Sequence, residues 1–168
     1  MKNLKTLLLI AIFTLGLVGI TNAQKVGHID FEKLIAEMPQ TKTLKLDMEK
    51  LGKTYQDEIV GMEKKIEATQ KKYVAESKSQ TKETNDKRVQ ELQGEAAKID
   101  QARKFAYQDM QKKQNDGLKP IIEKAQKAIE DVAASKGVLY VIDASVGKGL
   151  LVKKGEDLFG AVKSKLGF

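Results

Sequence analysis

The stretch TKTLKLDMEKLGKTYQDEIVGMEKKIEATQKKYVAESKSQTKETNDKRVQELQGEAAKID, residues 41–100, decides the fold. Apolar and aromatic side chains recur sparsely along it. Leu44, Met48, Leu51 and Tyr55 step by 4, 3 and 4, and Ile59, Met62, Ile66, Thr69 and Tyr73 by 3, 4, 3 and 4. The step from Tyr55 to Ile59 is again 4, a small slip in the seam. A stripe this narrow marks a coiled coil rather than a broad core-facing helix. From Glu76 to Asp86 there is no apolar residue at all. Beyond it the stripe resumes, with Val89, Leu92, Ala96 and Ile99 stepping by 3, 4 and 3, and with Phe105, Ala106 and Met110 further on. Two striped arms around a polar tip fold back most simply as an antiparallel pair. One unbroken helix is the rival arrangement. Residues 41–135 are therefore assigned to a helical hairpin arm with its tip near 76–86. The outgoing half, from Lys42 to about Ser77, extends roughly 50–55 Å at the helical rise.

The segments on either side of the arm read differently. Residues 24–40 hold a strand and a short helix. Lys25-Val-Gly-His-Ile-Asp30 alternates, which predicts a strand over Lys25 to Ile29. Asp30 then caps a helix from Phe31 to Met38, with Phe31, Leu34, Ile35 and Met38 on one face, and Pro39 ends it. After Gly117 and Pro120 the stripe thickens to Ile121, Ile122, Ala125, Ala128, Ile129 and Val132, so the helix returns to a packed base, with a kink near Pro120. Residues 136–168 complete that base. Gly137 stops the helix, and Val138-Leu-Tyr-Val-Ile142 is a strand apolar on both faces, hence expected to be buried on both. Asp143 to Gly149 reads as a turn, Leu150-Leu-Val152 as the next strand, and Asp157 to Leu166 as a final helix. Glu156 and Asp157 would complement that helix's dipole. The fold class is mainly α with a small β part: a long antiparallel α-helical hairpin on a small β-stranded oligomerisation body. So few short strands cannot bury enough surface in one copy, which predicts a homo-oligomer joined through the base.

The first 23 residues read as a signal peptide. Lys2 and Lys5 precede an apolar run from Leu7 to Ile20, and Thr21-Asn22-Ala23 forms a cleavage site before Gln24. The run is about fourteen residues, short for a membrane span, though a retained anchor is the alternative. The chain is therefore expected to be exported and soluble. No cysteine is present, which rules out disulfides, thiolate chemistry and a lipid-modified N-terminal cysteine. Charged residues make up 32% of the chain and are mixed in sign, which suits a solvated helix surface better than a thick core.

Nothing in the sequence assembles an active site, so no catalytic, cofactor-binding or metal-binding residue is expected and the chain reads as a non-enzyme. His28 is the one histidine and lacks partners at ligand or general-base spacing. Gly147-Lys-Gly149 leads into an expected strand, not a helix, and Gly155 with Gly160 is followed by Ala161 and Val162 where a phosphate loop needs Lys and Ser or Thr. The tip is the one surface feature with a functional reading. Lys71, Lys72, Lys78, Lys82, Lys87 and Arg88 outnumber Glu76, Glu83 and Asp86 there. The plain reading is a solvated helix turn; the sharper one is an electrostatic contact for acidic clients, anionic lipid or lipopolysaccharide. Nucleic acid is not an expected partner, because export removes the chain from it.

Lys25-Val-Gly-His-Ile-Asp-Phe-Glu-Lys-Leu-Ile-Ala-Glu-Met-Pro-Gln40 after a leader, a charged helical hairpin, and Gly137-Val-Leu-Tyr-Val-Ile-Asp-Ala144 together resemble the Skp/OmpH family of periplasmic chaperones. The resemblance covers essentially the whole chain after the leader. Its two end motifs are moderately specific, and the hairpin matches in pattern alone. The resemblance implies a homotrimer with a small β-body and three helical tentacles around a cavity, which holds unfolded outer-membrane proteins without ATP or any other cofactor. It places Val26, Ile29, Val138, Tyr140, Ile142, Leu150 and Val152 in the body strands, and the tip lysines as membrane-facing groups. The family's lipopolysaccharide motif is not matched here. Two rival classes are a structural coiled-coil envelope protein, which would not affect aggregation of a denatured barrel protein, and a lipid- or lipopolysaccharide-binding envelope factor, which would bind a small molecule tightly.

Overall fold

The computed structural model describes residues 25–168, so the expected signal peptide and its cleavage site lie outside the described residues. The element order is β1 (Lys25–Ile29), α1 (Phe31–Glu37), α2 (Pro39–Glu76), a single 3-10 turn (Ser77–Ser79), α3 (Lys82–Lys136), β2 (Val138–Asp143), β3 (Glu156–Asp157) and α4 (Phe159–Leu166). The class is mainly α with a small β part, as the periodicity predicts.

Local chemistry accounts for where the helices start and stop. The Asp30 side chain accepts from the Lys33 N–H at 2.9 Å, capping α1. Pro39 ends α1 and also opens α2, because a proline is tolerated in the first turn, where its missing N–H has no partner to lose. Thr81 caps α3 by accepting from the Thr84 N–H at 3.1 Å, and Gly137, with φ of 66°, ends it in the left-handed conformation. The reversal between the arms is confined to residues 77–81, and Lys82 to Asp86 already belong to α3. α3 runs helically through Pro120 to Lys136.

The two long helices pair antiparallel, and the rival single helix is not formed. Tyr55 meets Asp109, Tyr73 meets Glu91 and Glu76 meets Arg88, so partners descend on one helix as they climb on the other. The predicted outgoing seam is correct residue for residue: Leu44, Met48, Leu51, Tyr55, Ile59, Met62, Ile66, Thr69 and Tyr73 are all half-buried. The return seam needs correction. Leu92, Ile99, Ala106 and Met110 are shielded as expected, but the seam itself runs Arg88, Leu92, Glu95, Ile99, Ala102, Ala106 and Asp109, a regular alternation of steps of four and three. Val89 and Phe105 are 53% and 60% exposed, and Ala96 is exposed too. Apolarity alone misplaced part of the stripe, because three of these seven positions, Arg88, Glu95 and Asp109, are polar.

The core sits at the base. Leu34 and Met38 from the α1 segment, Ile121, Ala125, Ala128 and Val132 from α3, Leu158 and Val162 beside and within α4, and Ile29 and Val138 from the sheet form one buried cluster. Phe31 and Ile35 pack against it, so the predicted face of α1 is the buried one.

The sheet is parallel throughout, in the order β2-β1-β3. This overturns the expected strand over Leu150–Val152, since those residues lie outside the ladder. The third strand forms at Glu156–Asp157, where two glycines admit it. A Cβ on Gly155 would sit 2.5 Å from the Val26 carbonyl oxygen, and one on Gly27 would crowd the Glu156 carbonyl oxygen at 3.3 Å. Consequently α4 begins at Phe159 rather than Asp157, and the Asp157 carboxylate accepts from the Phe159 N–H at 2.9 Å instead of sitting within the first turn. The expectation that β2 is buried on both faces also fails for the single chain. Val138 is buried toward α3, while Leu139, Tyr140 and Ile142 are exposed.

Candidate functional site

Two surfaces stand apart from the core: the outer side of the sheet, and the arm.

At the base, β1 and β2 lie in register with Val26 beside Tyr140 and His28 beside Ile142. Tyr140 is 61% exposed and Ile142 and Val26 are partly so, whereas Ile29 and Val138 belong to the core. Of the body residues assigned from the resemblance, Ile29 and Val138 thus face inward, and Val26, Tyr140 and Ile142 present an apolar outer side. Leu150 is half-buried and Val152 exposed, both in the loop after β2. The same loop holds two further exposed apolar side chains, Val146 and Leu151, the latter 94% exposed. Leu151 lies in the apolar run expected to be a strand, and Val146 in the expected turn before it.

Hydrogen bonds and ion pairs tie this base together. The Lys136 ammonium donates to Glu156 at 2.6 Å and that of Lys163 to Glu37 at 2.5 Å. These bonds hold both carboxyls below their usual range. Lys127 and Lys165 do the same for Asp131. Burial pushes Asp143 up, but bonds from the Ser145 hydroxyl and from the Ser145 and Phe31 backbone outweigh it and leave the carboxyl below its ordinary value. His28 is buried in the central strand, and its Nδ1 has no hydrogen-bond partner.

On the arm, the seam is held by polar rungs as much as by apolar ones. The Tyr55 hydroxyl donates to Asp109 at 2.7 Å, the Tyr73 hydroxyl donates to Glu91 at 2.7 Å, and Arg103 pairs with Glu63 across the hairpin. Each carboxylate acceptor raises the pKa of its tyrosine, because ionising the phenol would break the bond. Phe105 meets Tyr55 edge-on with ring centroids 6.1 Å apart. None of these rungs was predicted, since a search for apolar periodicity skips carboxylates.

The tip lysines are largely engaged locally. Lys71 pairs with Glu67, Lys82 with Asp86 and Lys87 with Glu83, all within one turn of helix. Arg88 bridges to Glu76 at 2.5 Å and lies over the Tyr73 ring at 4.4 Å, which makes it a bolt between the arms. Lys72 and Lys78 have no ion-pair partner among the described residues.

Chemically, these surfaces offer non-covalent contact. Among the described residues there is no group of three or more His, Cys, Asp or Glu placed to hold a metal ion, and no helix long and apolar enough to cross a membrane. The surface depressions are open grooves along the helices and beside the sheet.

No curated protein sequence matches the chain. A family model does, described as Outer membrane protein (OmpH-like) and aligned with residues 25–166, which takes in both end motifs and the whole hairpin. With that match over most of its length, the chain belongs to the OmpH-like family.

Proposed function

We propose that this protein is an ATP-independent periplasmic holdase that binds unfolded outer-membrane proteins between helical arms and keeps them from aggregating. The observation that carries the reading is the division of the molecule. A helix of 38 residues with no buried side chain, about 57 Å long at the helical rise, stands on a small base whose sheet leaves its apolar outer side in solvent. Such an arm encloses space only if copies join, and the base supplies the means. Val26, Tyr140, Ile142 and Val152 need cover, which a homotrimer through the body would give, with Ile29, Val138 and Leu150 supporting the strands behind them. Unfolded barrel strands expose apolar side chains and unpaired edges that aggregate in water. Several arms around one cavity would hide such a chain through many weak contacts, and binding by mass action needs no fuel.

The test is dilution of a urea-denatured outer-membrane barrel protein with and without this protein, read by light scattering, beside a native mass measurement. Suppressed scattering by a particle of three chains is the expected result. A monomer that leaves scattering unchanged sinks the reading and favours a structural envelope protein.

A second reading has one observation behind it. Lys72 and Lys78, unpaired at the far end of the arm, would suit anionic lipid or lipopolysaccharide. Vesicles with and without anionic lipid, compared for the native protein and for Lys72→Glu, test it. Equal binding by both proteins removes the tip from consideration.

A further inference from the structure

The seam of the arm has two flanks, and they differ. Along one flank of α3, Val89, Ala96, Arg103 and Met110 follow in steps of seven; on α2, Lys45 and Gly52 repeat the step beside the seam positions Leu44 and Leu51. A step of seven returns to the same side of a coiled coil. Two grooves open on this side. The one near the root of the arm, about 520 Å³, is lined by Met48, Gly52, Met110 and Leu118 among others. The one near the tip, about 360 Å³, includes Val74, Val89 and Leu92. The larger groove exists because Gly52 has no side chain: a Cβ there would already touch the Met110 methyl at 3.5 Å. Methionine thioethers line it, and flexible, polarisable side chains adapt to varied partners.

The charges on this flank are already matched. Lys45 pairs with Glu49 at 4.0 Å on the rim of the larger groove, and Arg103 pairs with Glu63 between the two grooves. Gln114 and Gln70 supply neutral polar lining. The opposite flank carries Glu91, Lys98 and Phe105 in the same seven-residue rhythm. A nearly neutral face with separate apolar cups complements an extended chain that presents large apolar side chains at intervals. An anionic head group would meet cations that already carry carboxylate partners: Lys45, Arg103 and, beside the tip groove, Arg88 with Glu76. A folded partner would need one continuous apolar patch, and here the cups lie far apart along the helices.

Resting on the holdase reading, we propose that this flank is the face that holds the unfolded guest, and that the groove at Gly52 receives one large apolar side chain of an extended segment.

The chain has no cysteine, so single cysteines can carry a photo-crosslinker at chosen positions. With a urea-denatured barrel protein as guest, crosslinks are expected from Gly52→Cys and Val89→Cys, and only a small fraction of that yield from Glu58→Cys and Lys98→Cys on the other flank. Gly52→Leu fills the groove and should weaken holding about tenfold, the weight of one buried large apolar side chain. Gly61→Leu is the control. It also replaces a glycine inside α2, but a Cβ there meets nothing within 4 Å, so holding should persist. Equal yields from both flanks, or equal weakening by Gly52→Leu and Gly61→Leu, overturn the assignment while suppressed aggregation keeps the holdase reading. Crosslinks from Val89→Cys to anionic vesicles in place of the guest overturn it in favour of a membrane contact. No crosslink from either flank overturns it as well, and unsuppressed aggregation in the same experiment removes the holdase reading too.

Discussion

The base and the arm of this protein are stabilised by different physics. In the base, Leu34, Met38, Leu158 and Val162 are fully buried, and elements distant in sequence meet around them. In the arm, α2 buries nothing completely, and α3 contributes Ile99 and Ala106 before it reaches the base. A base of this kind gains its stability from removing apolar surface from water. The arm relies on helix propensity, on a half-wet seam and on rungs such as Tyr55 with Asp109, each of which water can replace at modest cost. The difference teaches that length and order need not come with a thick core. It also locates the arm at the low end of local stability, where the proposed holdase would need an adaptable surface.

The largest effect should come from the base. Leu158→Ala removes a fully buried side chain and is expected to cost about 2–5 kcal/mol, measured by chemical denaturation. Ile142→Lys, on the outer side of the same sheet, should leave the fold of one chain intact and lower the native mass. A variant that unfolds at Ile142, or keeps its full mass, would erase the distinction between an inward and an outward side of this sheet.

A smaller effect separates base from arm by pH. Glu156, Asp131 and Asp143 in the base are held below the ordinary carboxylate range, as Glu67 and Glu95 are on the arm, so acid weakens both regions. Their contribution is complete above the unfolded carboxylate pKa values and is lost as the pH falls through the lower folded values. The two shifted tyrosines are both on the arm and move the other way. Tyr55 and Tyr73 are raised by their carboxylate acceptors, so the stability they add is present below the usual tyrosine pKa and lost as the pH rises through the folded value. Hydrogen exchange followed into alkali should therefore open the arm before the base. Tyr55→Phe with Tyr73→Phe should remove that alkaline dependence. If the base opens first in alkali, the rungs are not what holds the seam.

How much of this was legible in the sequence follows the same division. The outgoing seam could be read because its nine positions are occupied by apolar, aromatic or threonine side chains with little competition between them. The return seam could be read only at Leu92, Ile99, Ala106 and Met110, because Arg88, Glu95 and Asp109 take seam positions while Val89 and Phe105 stand beside them in water. Asp109 became a seam partner because Tyr55 lies opposite, and the exposed Glu91 a rung because Tyr73 does, a fact of register and not of composition. In the base, Val138–Ile142 was recognisable as a strand, but Leu150–Val152 was not recognisable as a loop. Its apolar character argued for pairing, whereas the close approach of Gly155 to the Val26 carbonyl fixed the third strand further along. Of the surfaces with functional readings, Tyr140 and Ile142 were assigned to the body strands through the family resemblance, whereas the Gly52 groove had no signal in the sequence. A glycine announces a missing side chain without saying which neighbour leaves the space unfilled.

The smallest effect tests where the arm ends and the base begins. Glycine inside a helix costs about 0.5–1 kcal/mol relative to alanine, because it loses more backbone freedom on folding. At Gly94, where a Cβ would meet nothing within 4 Å, alanine should recover about that much and raise the thermal midpoint of the arm. Gly117 differs because its partner is close: a Cβ would lie 2.5 Å from Leu44 Cδ1 and 3.0 Å from Cδ2. Leu44 is half-buried and packs against the base cluster, so turning it aside exposes apolar surface and opposes the gain in helix propensity. Gly117→Ala should accordingly gain less than Gly94→Ala, or lose stability outright, in the same melting experiment. Were the two variants equally stabilised, the root of α2 would be as loosely packed as the middle of α3, and the border between the two kinds of stability would have to move from Leu44 toward Met38.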